Sequence, residues 1–252
     1  MLRSVITSAA LALALGASPA LASGGAHLDK QAWSWDGVFG SYDKAQLKRG
    51  YQVFHDVCSN CHGLKLVAYR NLKEIGLSEE EAKAVAAERE TKDGPNDEGD
   101  MFNRPGKLSD RYISPFANDQ AARVANNGAL PPDLSLMTKA RVGGPDYVYS
   151  LLMGFADAPE GFKLGDGMNY NKVFPGNQIA MAPQISDDLV TYADGTKATA
   201  DQLTKDVVSF LNWAAEPELE VRKSMGLKTM IFLLVLTALF YALKRKIWKD
   251  VH

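Results

Sequence analysis

Cysteine is scarce in this sequence. The 252 residues include two cysteines, Cys58 and Cys61, with two residues between them. A pair this close along the chain cannot link distant parts of a fold of this size, so we exclude a disulfide-stabilised architecture. The two thiols must serve another purpose.

Internal repeats, low-complexity tracts and clear strand patterns are also lacking. The absence of repeats excludes repeat architectures. A composition of 46% hydrophobic and 23% charged residues is sufficient for a hydrophobic core and excludes a disordered chain. Residues 189–192, before the turn at residues 193–195, are the one stretch that favours a strand. We expect a mainly α fold, with one exported domain and long loops.

Helical patterns occupy much of the remaining sequence. Ser78 and Glu81 are spaced as a capping box, and Thr199 with Gln202 forms a second candidate. Pro217 ends or bends the helix that follows Thr199. Five helices are predicted before the C-terminal apolar run, at residues 43–57, 78–90, 120–126, 146–153 and 200–215.

Long apolar runs occur only near the two ends of the sequence. At the N-terminus, Arg3 precedes the apolar residues 9–17, and small residues at positions 20 and 22 match what a signal peptidase reads. A membrane span is the alternative, but the run is short and polar sequence follows it at once. We predict a signal peptide over residues 1–22 and export of the chain that follows.

The second apolar run covers residues 225–243, with Lys228 as its one charged residue. As a helix, these 19 residues extend about 28 Å, close to the hydrocarbon thickness of a bilayer. A buried core helix is the alternative, but no amphipathic face is visible. The prediction is a stalk and transmembrane anchor at 222–243.

Basic residues fix the predicted orientation of that anchor. Lys244, Arg245 and Lys246 follow it directly, and basic flanks stay on the cytoplasmic side. We therefore expect a cytoplasmic tail at 244–252 and a periplasmic domain at 23–221. The short, simple signal peptide favours the inner membrane of a bacterium, crossed once.

The predicted exported domain is acidic, although the whole chain has a formal charge of only −2. Between residues 23 and 221 there are 20 Lys and Arg against 29 Asp and Glu, a charge of about −9. This charge disfavours nucleic acid and favours a basic partner through long-range attraction. Residues 79–100 are the most acidic stretch and a candidate docking surface.

The two cysteines belong to a C-x-x-C-H motif, Cys58-Ser59-Asn60-Cys61-His62. In such a motif, two thiols at this spacing add to the two vinyl groups of a haem, and the adjacent histidine ligates the iron. One covalently attached haem c is the prediction, with His62 as an axial ligand.

Two alternative uses of the motif remain open. A thioredoxin-like redox pair belongs within a βαβ pattern, which this sequence does not display. A zinc site needs a second pair of ligands, and the histidines outside the motif supply them poorly. Those histidines are His27, His55 and His252.

An electron carrier of high potential requires a thioether as the sixth ligand of its iron. Met181 is our choice, since Pro175, Gly176 and Pro183 stiffen the apolar loop that contains it. Spacing alone leaves other methionines open. The candidates after the haem motif in the exported domain are Met101, Met137, Met153, Met168 and Met181.

Several long blocks of the sequence resemble the cytochrome c1 family. They follow one another in order after the haem motif, and the resemblance covers roughly residues 33–248. The blocks are A-N-N-G-A-L-P-P-D-L-S at 125–135, G-G-P-D-Y-V-Y-S-L-L at 143–152, F-P-G-N-Q-I-A-M-A-P at 174–183, F-L-N-W-A-A-E-P-E at 210–218 and R-K-S-M-G-L-K at 222–228.

The resemblance implies a cytochrome c-like haem domain and a set of site residues. Haem c would be attached at Cys58 and Cys61, with His62 and Met181 as axial ligands. Arg123 would contact a haem propionate, and Pro132 belongs to a loop that would form a wall of the haem pocket. The extra disulfide of some bacterial relatives cannot form here, because no further cysteine is present.

The family also implies partners. The domain would take electrons from a Rieske iron–sulfur protein and pass them to cytochrome c, and its helix would lie beside cytochrome b. The whole would be a dimeric quinol–cytochrome c reductase, or bc1 complex, in which this chain alone makes or breaks no substrate bond. The alternatives are an independent membrane-tethered cytochrome c and a haem-based sensor.

Overall fold

The computed structural model of the protein describes residues 27–250. The predicted signal peptide and the last two residues of the predicted tail lie outside the described residues. Nothing below therefore tests the cleavage site.

Helices dominate the described part of the chain. Seven α-helices are joined by long loops and by short 3-10 segments at Cys58–Asn60, Tyr69–Ile75, Pro175–Asn177 and Trp248–Asp250. The helices are α1 (Lys44–Asp56), α2 (Glu79–Ala87), α3 (Asp119–Ala125), α4 (Met137–Ala140), α5 (Gly144–Met153), α6 (Ala200–Ala215) and α7 (Leu219–Ile247).

The strands are short and form three separate two-stranded antiparallel sheets within residues 27–250. β1 pairs with β4, β2 with β3, and β5 with β6. Their bounds are β1 (Leu64–Ala68), β2 (Glu90–Asp93), β3 (Phe102–Pro105), β4 (Arg111–Tyr112), β5 (Asn169–Tyr170) and β6 (Gln178–Ile179).

Helices α1 and α6 form the centre of the core. Phe210 of α6 lies 5.5 Å from the ring of Tyr51 and 5.6 Å from that of Phe54. The backbones approach closely at Gly50, where an added Cβ would lie 1.9 Å from the carbonyl oxygen of Asp206. Any larger residue at position 50 would therefore separate the two helices.

Helix starts follow the capping residues of the sequence. Asp43 caps α1 by accepting from the amide of Ala45 at 2.8 Å, and Thr199 caps α6 by accepting from Gln202 at 3.2 Å. Ser78 and Glu81 make the reciprocal bonds of a capping box at α2. All five helices predicted before the apolar run are present, with boundaries that differ by at most a few residues.

The strand prediction for residues 189–192 is wrong. Val190 and Tyr192 are buried, as the alternating pattern requires, but no strand lies beside them and the segment is irregular. A side chain supplies a partner instead, since Gln52 donates to the carbonyl oxygen of Thr191 at 3.1 Å. Alternation predicted the burial, whereas strand formation also needs a neighbouring strand.

Helix α7 leaves the domain after Pro217 and runs for 29 residues. It is the one helix within residues 27–250 that is long and apolar enough to cross a membrane. Nearly all of its apolar side chains from Met225 onward are exposed, so it is not a core helix. The expected mainly α domain with long loops and a single C-terminal apolar helix is confirmed.

Candidate haem site

The C-x-x-C-H motif begins where α1 ends. Residues Cys58–Asn60 form a 3-10 turn, in which the carbonyl oxygen of Cys58 accepts from the amides of Cys61 at 3.1 Å and His62 at 2.9 Å. This tight turn holds both thiols near one another without a disulfide between them. Burial raises the pKa of the Cys58 thiol to about 12, and it is therefore protonated at neutral pH.

Ser59, between the two cysteines, fixes the turn to the domain. Its hydroxyl donates to the carbonyl oxygen of His55 at 2.6 Å and accepts from the guanidinium of Arg89 at 2.9 Å. Arg89 also donates to the carbonyl oxygen of Ser59 at 3.2 Å and lies 4.9 Å from the ring centre of Tyr112. Sequence reasoning missed Arg89, because no local pattern links it to the motif.

His62 has the hydrogen bonding expected of a metal ligand. Its Nδ1 lies 2.7 Å from the carbonyl oxygen of Pro132, so Nδ1 is the protonated nitrogen that donates. Nε2 has no hydrogen-bond partner within residues 27–250 and presents a lone pair. Burial lowers the pKa of His62, which keeps the imidazole neutral at pH 7.

The loop that includes Pro132 is bound to the chain that follows His62. The amide of Leu134 donates to the carbonyl oxygen of Gly63 at 2.9 Å, and Asp133 accepts from the amide of Lys65 at 2.8 Å. The buried Ser135 accepts from the amide of Leu66 at 3.1 Å. The structure thus brings Pro132 beside His62, two residues that are 70 positions apart.

Arg123 lies at the end of α3, before the same loop. Its guanidinium donates to the carbonyl oxygen of Gly128 at 3.1 Å, and the side chain is otherwise exposed. It forms no ion pair within the described residues, which leaves donors free for a carboxylate. Its predicted contact with a propionate stays a prediction.

Met181 follows a small structured unit. Strands β5 and β6 pair Asn169 with Ile179, and the buried Asn171 accepts from the amides of Val173 at 2.9 Å and Phe174 at 3.1 Å. Gly176 makes the turn with φ of 77°. Beyond β6, Met181 is half-buried, and its carbonyl oxygen accepts from Asn169 at 3.4 Å.

Two competing methionines are engaged elsewhere. The sulfur of Met153 accepts a hydrogen bond from the buried Thr204 at 3.3 Å, and Met137 packs against the hydrophobic core. Met101 is exposed on the β2–β3 hairpin. Met168 remains closest in sequence to Met181, on the loop before β5.

An open cavity of about 470 Å³ separates the haem motif from the chain after Met181. Val57, Asn60 and Cys61 line one wall, and Pro183, Gln184, Ile185, Ser186 and Leu189 line another. Two thiols in one turn, a neutral histidine with a free Nε2 and a methionine on the segment that enters the opposite wall of the cavity are the donor types that a haem c requires, and these residue types fit the group.

The alternative uses of the cysteines gain no support from residues 27–250. No group of three or more His, Cys, Asp or Glu side chains is placed to hold a metal ion there. The strands of the described chain pair only antiparallel, and the βαβ unit of a thioredoxin-like site does not occur among them.

The fold and the site are typical of a membrane-anchored c-type cytochrome. The family model described as the Cytochrome C1 family matches residues 33–251, and the chain belongs to this family.

Individual relatives agree with that assignment. The chain is 53% identical to cytochrome c1 of Rhodospirillum rubrum over 267 aligned positions, covering 100% of this chain and 98% of that protein. It is 55% identical to a mitochondrial cytochrome c1 heme protein of Arabidopsis thaliana, over 85% of this chain and 70% of that one. A protein named cytochrome b/c1 from Bradyrhizobium diazoefficiens is 47% identical, with 87% of this chain matching 35% of its length.

Proposed function

We propose that this chain is the haem c electron-transfer subunit of a quinol–cytochrome c reductase. The observation that carries the proposal is the tight turn that holds Cys58 and Cys61 beside a neutral His62, in a member of the cytochrome c1 family. Cys61 faces residues 183–189, just beyond Met181, across a cavity. The relatives named as heme proteins support the same cofactor.

The site residues have separate tasks in this proposal. Cys58 and Cys61 would hold the haem through thioethers, His62 and Met181 would ligate its iron, and Arg123 would contact a propionate. When bound, the haem supplies reversible one-electron chemistry at its iron. The Pro132 carbonyl oxygen holds the His62 ring in the tautomer that ligates and increases its basicity.

Electrons enter from a Rieske iron–sulfur protein and leave to cytochrome c, and no bond of a substrate is made or broken by this chain alone. Quinol oxidation belongs to the dimeric complex, in which α7 packs beside cytochrome b. A relative whose name combines cytochrome b with c1 supports that association.

We further propose that the protein lies in a bacterial inner membrane and crosses it once through α7. Lys244, Arg245 and Lys246 at the end of α7 keep the C-terminus cytoplasmic, which leaves the haem domain in the periplasm. The proposed division is a signal peptide at 1–22, the haem domain at 23–221, the stalk and anchor at 222–243, and the tail at 244–252.

The docking surface for cytochrome c is the tip of the β2–β3 hairpin. Much of the acidic stretch at 79–100 is neutralised internally, since Glu79 pairs with Lys73 and Lys83, and Glu81 pairs with Lys48. Asp97, Glu98 and Asp100 at the tip are exposed, with no ion-pair partner within residues 27–250. The base of the same hairpin reaches the haem motif through Arg89.

Changes in ionic strength and replacement of single acidic residues can test the proposed docking surface for cytochrome c. Exposed charges are screened beyond about 8 Å at physiological ionic strength, so added salt should slow electron transfer to a basic cytochrome c. Glu98→Gln should slow the same reaction at low salt, whereas Glu218→Gln beside the anchor should not. A flat salt profile, or equal effects of the two variants, would remove the docking proposal.

Purification of the tagged chain from membranes in mild detergent tests the function. We expect it to bring b-type haem and an iron–sulfur protein with it, and added quinol should reduce its c-type haem. Isolation with c-type haem and no cytochrome b would favour the independent tethered cytochrome. Rapid carbon monoxide binding without reduction by quinol would favour the sensor.

A further inference from the structure

An apolar turn projects from the domain close to the start of α7. Val38 is 63% exposed and Phe39 is 85% exposed, between Gly37 and Gly40. Gly37 has φ of 70°, a conformation that suits glycine, and apart from its chain neighbours no residue approaches within 4 Å of where its Cβ would be. We call residues 36–41 the root loop. Its two exposed apolar side chains are not among the residues of the candidate haem site.

The root loop is fastened to the first turns of α7. The ammonium of Lys223 donates to the carbonyl oxygens of Trp35 and Gly40, the latter at 3.2 Å. Glu220 accepts from the amide of Tyr42 at 2.8 Å. The rings of Trp35 and Tyr42 lie 5.4 Å apart on the domain side. These bonds fix the height of the root loop along the axis of α7.

That height coincides with the start of the apolar run. Lys223 precedes Met225 by two residues, which is about 3 Å along a helix. The face that continues below Lys223 at helical spacing presents Leu227, Met230 and Leu234, all of them exposed. The root loop is therefore held level with the outer end of an apolar helix face, at the depth where aromatic side chains contact lipid headgroups and upper acyl chains.

We propose that Val38 and Phe39 insert into the outer-leaflet interface of the phospholipid bilayer and form a second membrane contact of the haem domain. Lipid is the occupant because the loop is bonded to α7 two to five residues before the exposed apolar run begins at Met225. One helix alone leaves a domain free to tilt about its root. A second contact beside it restricts that tilt and holds the haem motif at a constant height above the membrane.

This inference depends on the proposed membrane anchor, and photo-crosslinking can test the two separately. p-Benzoylphenylalanine is placed in turn at position 39, at position 234 in α7 and at position 101 on the exposed β2–β3 hairpin. The full chain is expressed with its partner subunits, and native membranes are irradiated. Mass spectrometry then identifies phospholipid adducts and protein crosslinks, while haem content reports that each variant has folded.

We expect phospholipid adducts at positions 39 and 234, each several-fold above position 101. An adduct at 234 with none at 39 would overturn the insertion of the root loop and leave the anchor intact. A crosslink from position 39 to another polypeptide would equally overturn it, in favour of a protein neighbour. The absence at position 234 of both a phospholipid adduct and a crosslink to cytochrome b would contradict the anchor itself. Irradiation of the unmodified complex with a diazirine-bearing phosphatidylcholine should label the peptide that includes the root loop.

Discussion

The two sides of the candidate haem site are held very differently. On the histidine side, His62 donates to Pro132 at 2.7 Å, and three further hydrogen bonds join residues 63–66 to residues 133–135. On the methionine side, residues 180–186 have one hydrogen bond to another segment, from Asn169 to the carbonyl oxygen of Met181 at 3.4 Å, within the described chain.

In the proposed site, this difference would separate a ligand that is positioned before haem binds from a ligand whose position haem binding completes. A segment with few hydrogen bonds opens at a lower free energy than one tied at several points. We therefore expect His62 to stay on the iron in all states of the protein and Met181 to be the ligand that exchanges.

The largest effect is expected when the imidazole of His62 is removed. His62→Leu should abolish stable haem incorporation, because no other side chain in the turn can replace the imidazole. His55→Leu is a matched control, since His55 lies on α1 and contacts Glu88 at 2.8 Å on the surface. Haem staining after denaturing electrophoresis measures the result, and a normally loaded His62→Leu protein would contradict the assignment.

Met181→Leu should keep the covalent haem but lower its reduction potential. Loss of the thioether removes a ligand that stabilises ferrous iron, and axial ligation spans about 0.8 V overall, so we expect a shift of about a few tenths of a volt. Redox titration measures it, with Met168→Leu as the control. A shift in Met168→Leu in place of Met181→Leu would move the ligand to Met168.

A smaller effect is expected from Arg89→Leu, which removes two hydrogen bonds from the buried Ser59. An unsatisfied buried polar group costs about 1–3 kcal/mol, and thermal unfolding of the haem-loaded domain should show a loss of this size. The half-buried guanidinium carries a positive charge near the motif, so its removal should also lower the potential slightly. Arg70→Leu, at an exposed residue, should change neither quantity.

The smallest predicted effect concerns the one hydrogen bond that ties the methionine side of the site to another segment. Asn169→Ala removes the hydrogen bond to the carbonyl oxygen of Met181, a contact of about 0.5–1.5 kcal/mol, and 1.4 kcal/mol is tenfold in an equilibrium. Carbon monoxide binding to the ferrous protein should therefore accelerate by up to about tenfold. Asn103→Ala, on the β2–β3 hairpin, should bind at the wild-type rate. Equal rates of carbon monoxide binding in the wild type, Asn169→Ala and Asn103→Ala would show that the methionine segment is held by packing alone.

Local patterns predicted the features that depend on local chemistry. Capping residues and apolar spacing located α1, α2 and α6, and hydropathy located α7, because each of these signals acts within a few turns of helix. The spacing of Cys58, Cys61 and His62 predicted a covalently attached haem c, and the tight turn that holds these residues was seen only in the structure. The stiff apolar loop around Met181 favoured that residue but left other methionines open, and the resemblance to a family implied both Met181 and Arg123 as site residues.

Local patterns could not predict contacts between residues that are far apart in the sequence. Nothing near His62 indicates that a carbonyl oxygen 70 residues later will orient its ring, and nothing near Ser59 indicates Arg89. The strand error at residues 189–192 has the same origin, since pairing depends on a neighbour that the segment cannot specify. The exposure of the root loop could likewise not be predicted from the sequence, because it depends on the hydrogen bonds that Lys223 donates to the loop.

Acid–acetone extraction of the mature chain tests the central claim most directly. The protein is purified from membranes of a host with haem c maturation, and the pigment remaining on the polypeptide is measured after extraction. Thioethers at Cys58 and Cys61 predict that the haem stays on the chain and gives the pyridine spectrum of a doubly linked haem c. Pigment that extracts completely, or a colourless chain, would contradict the account.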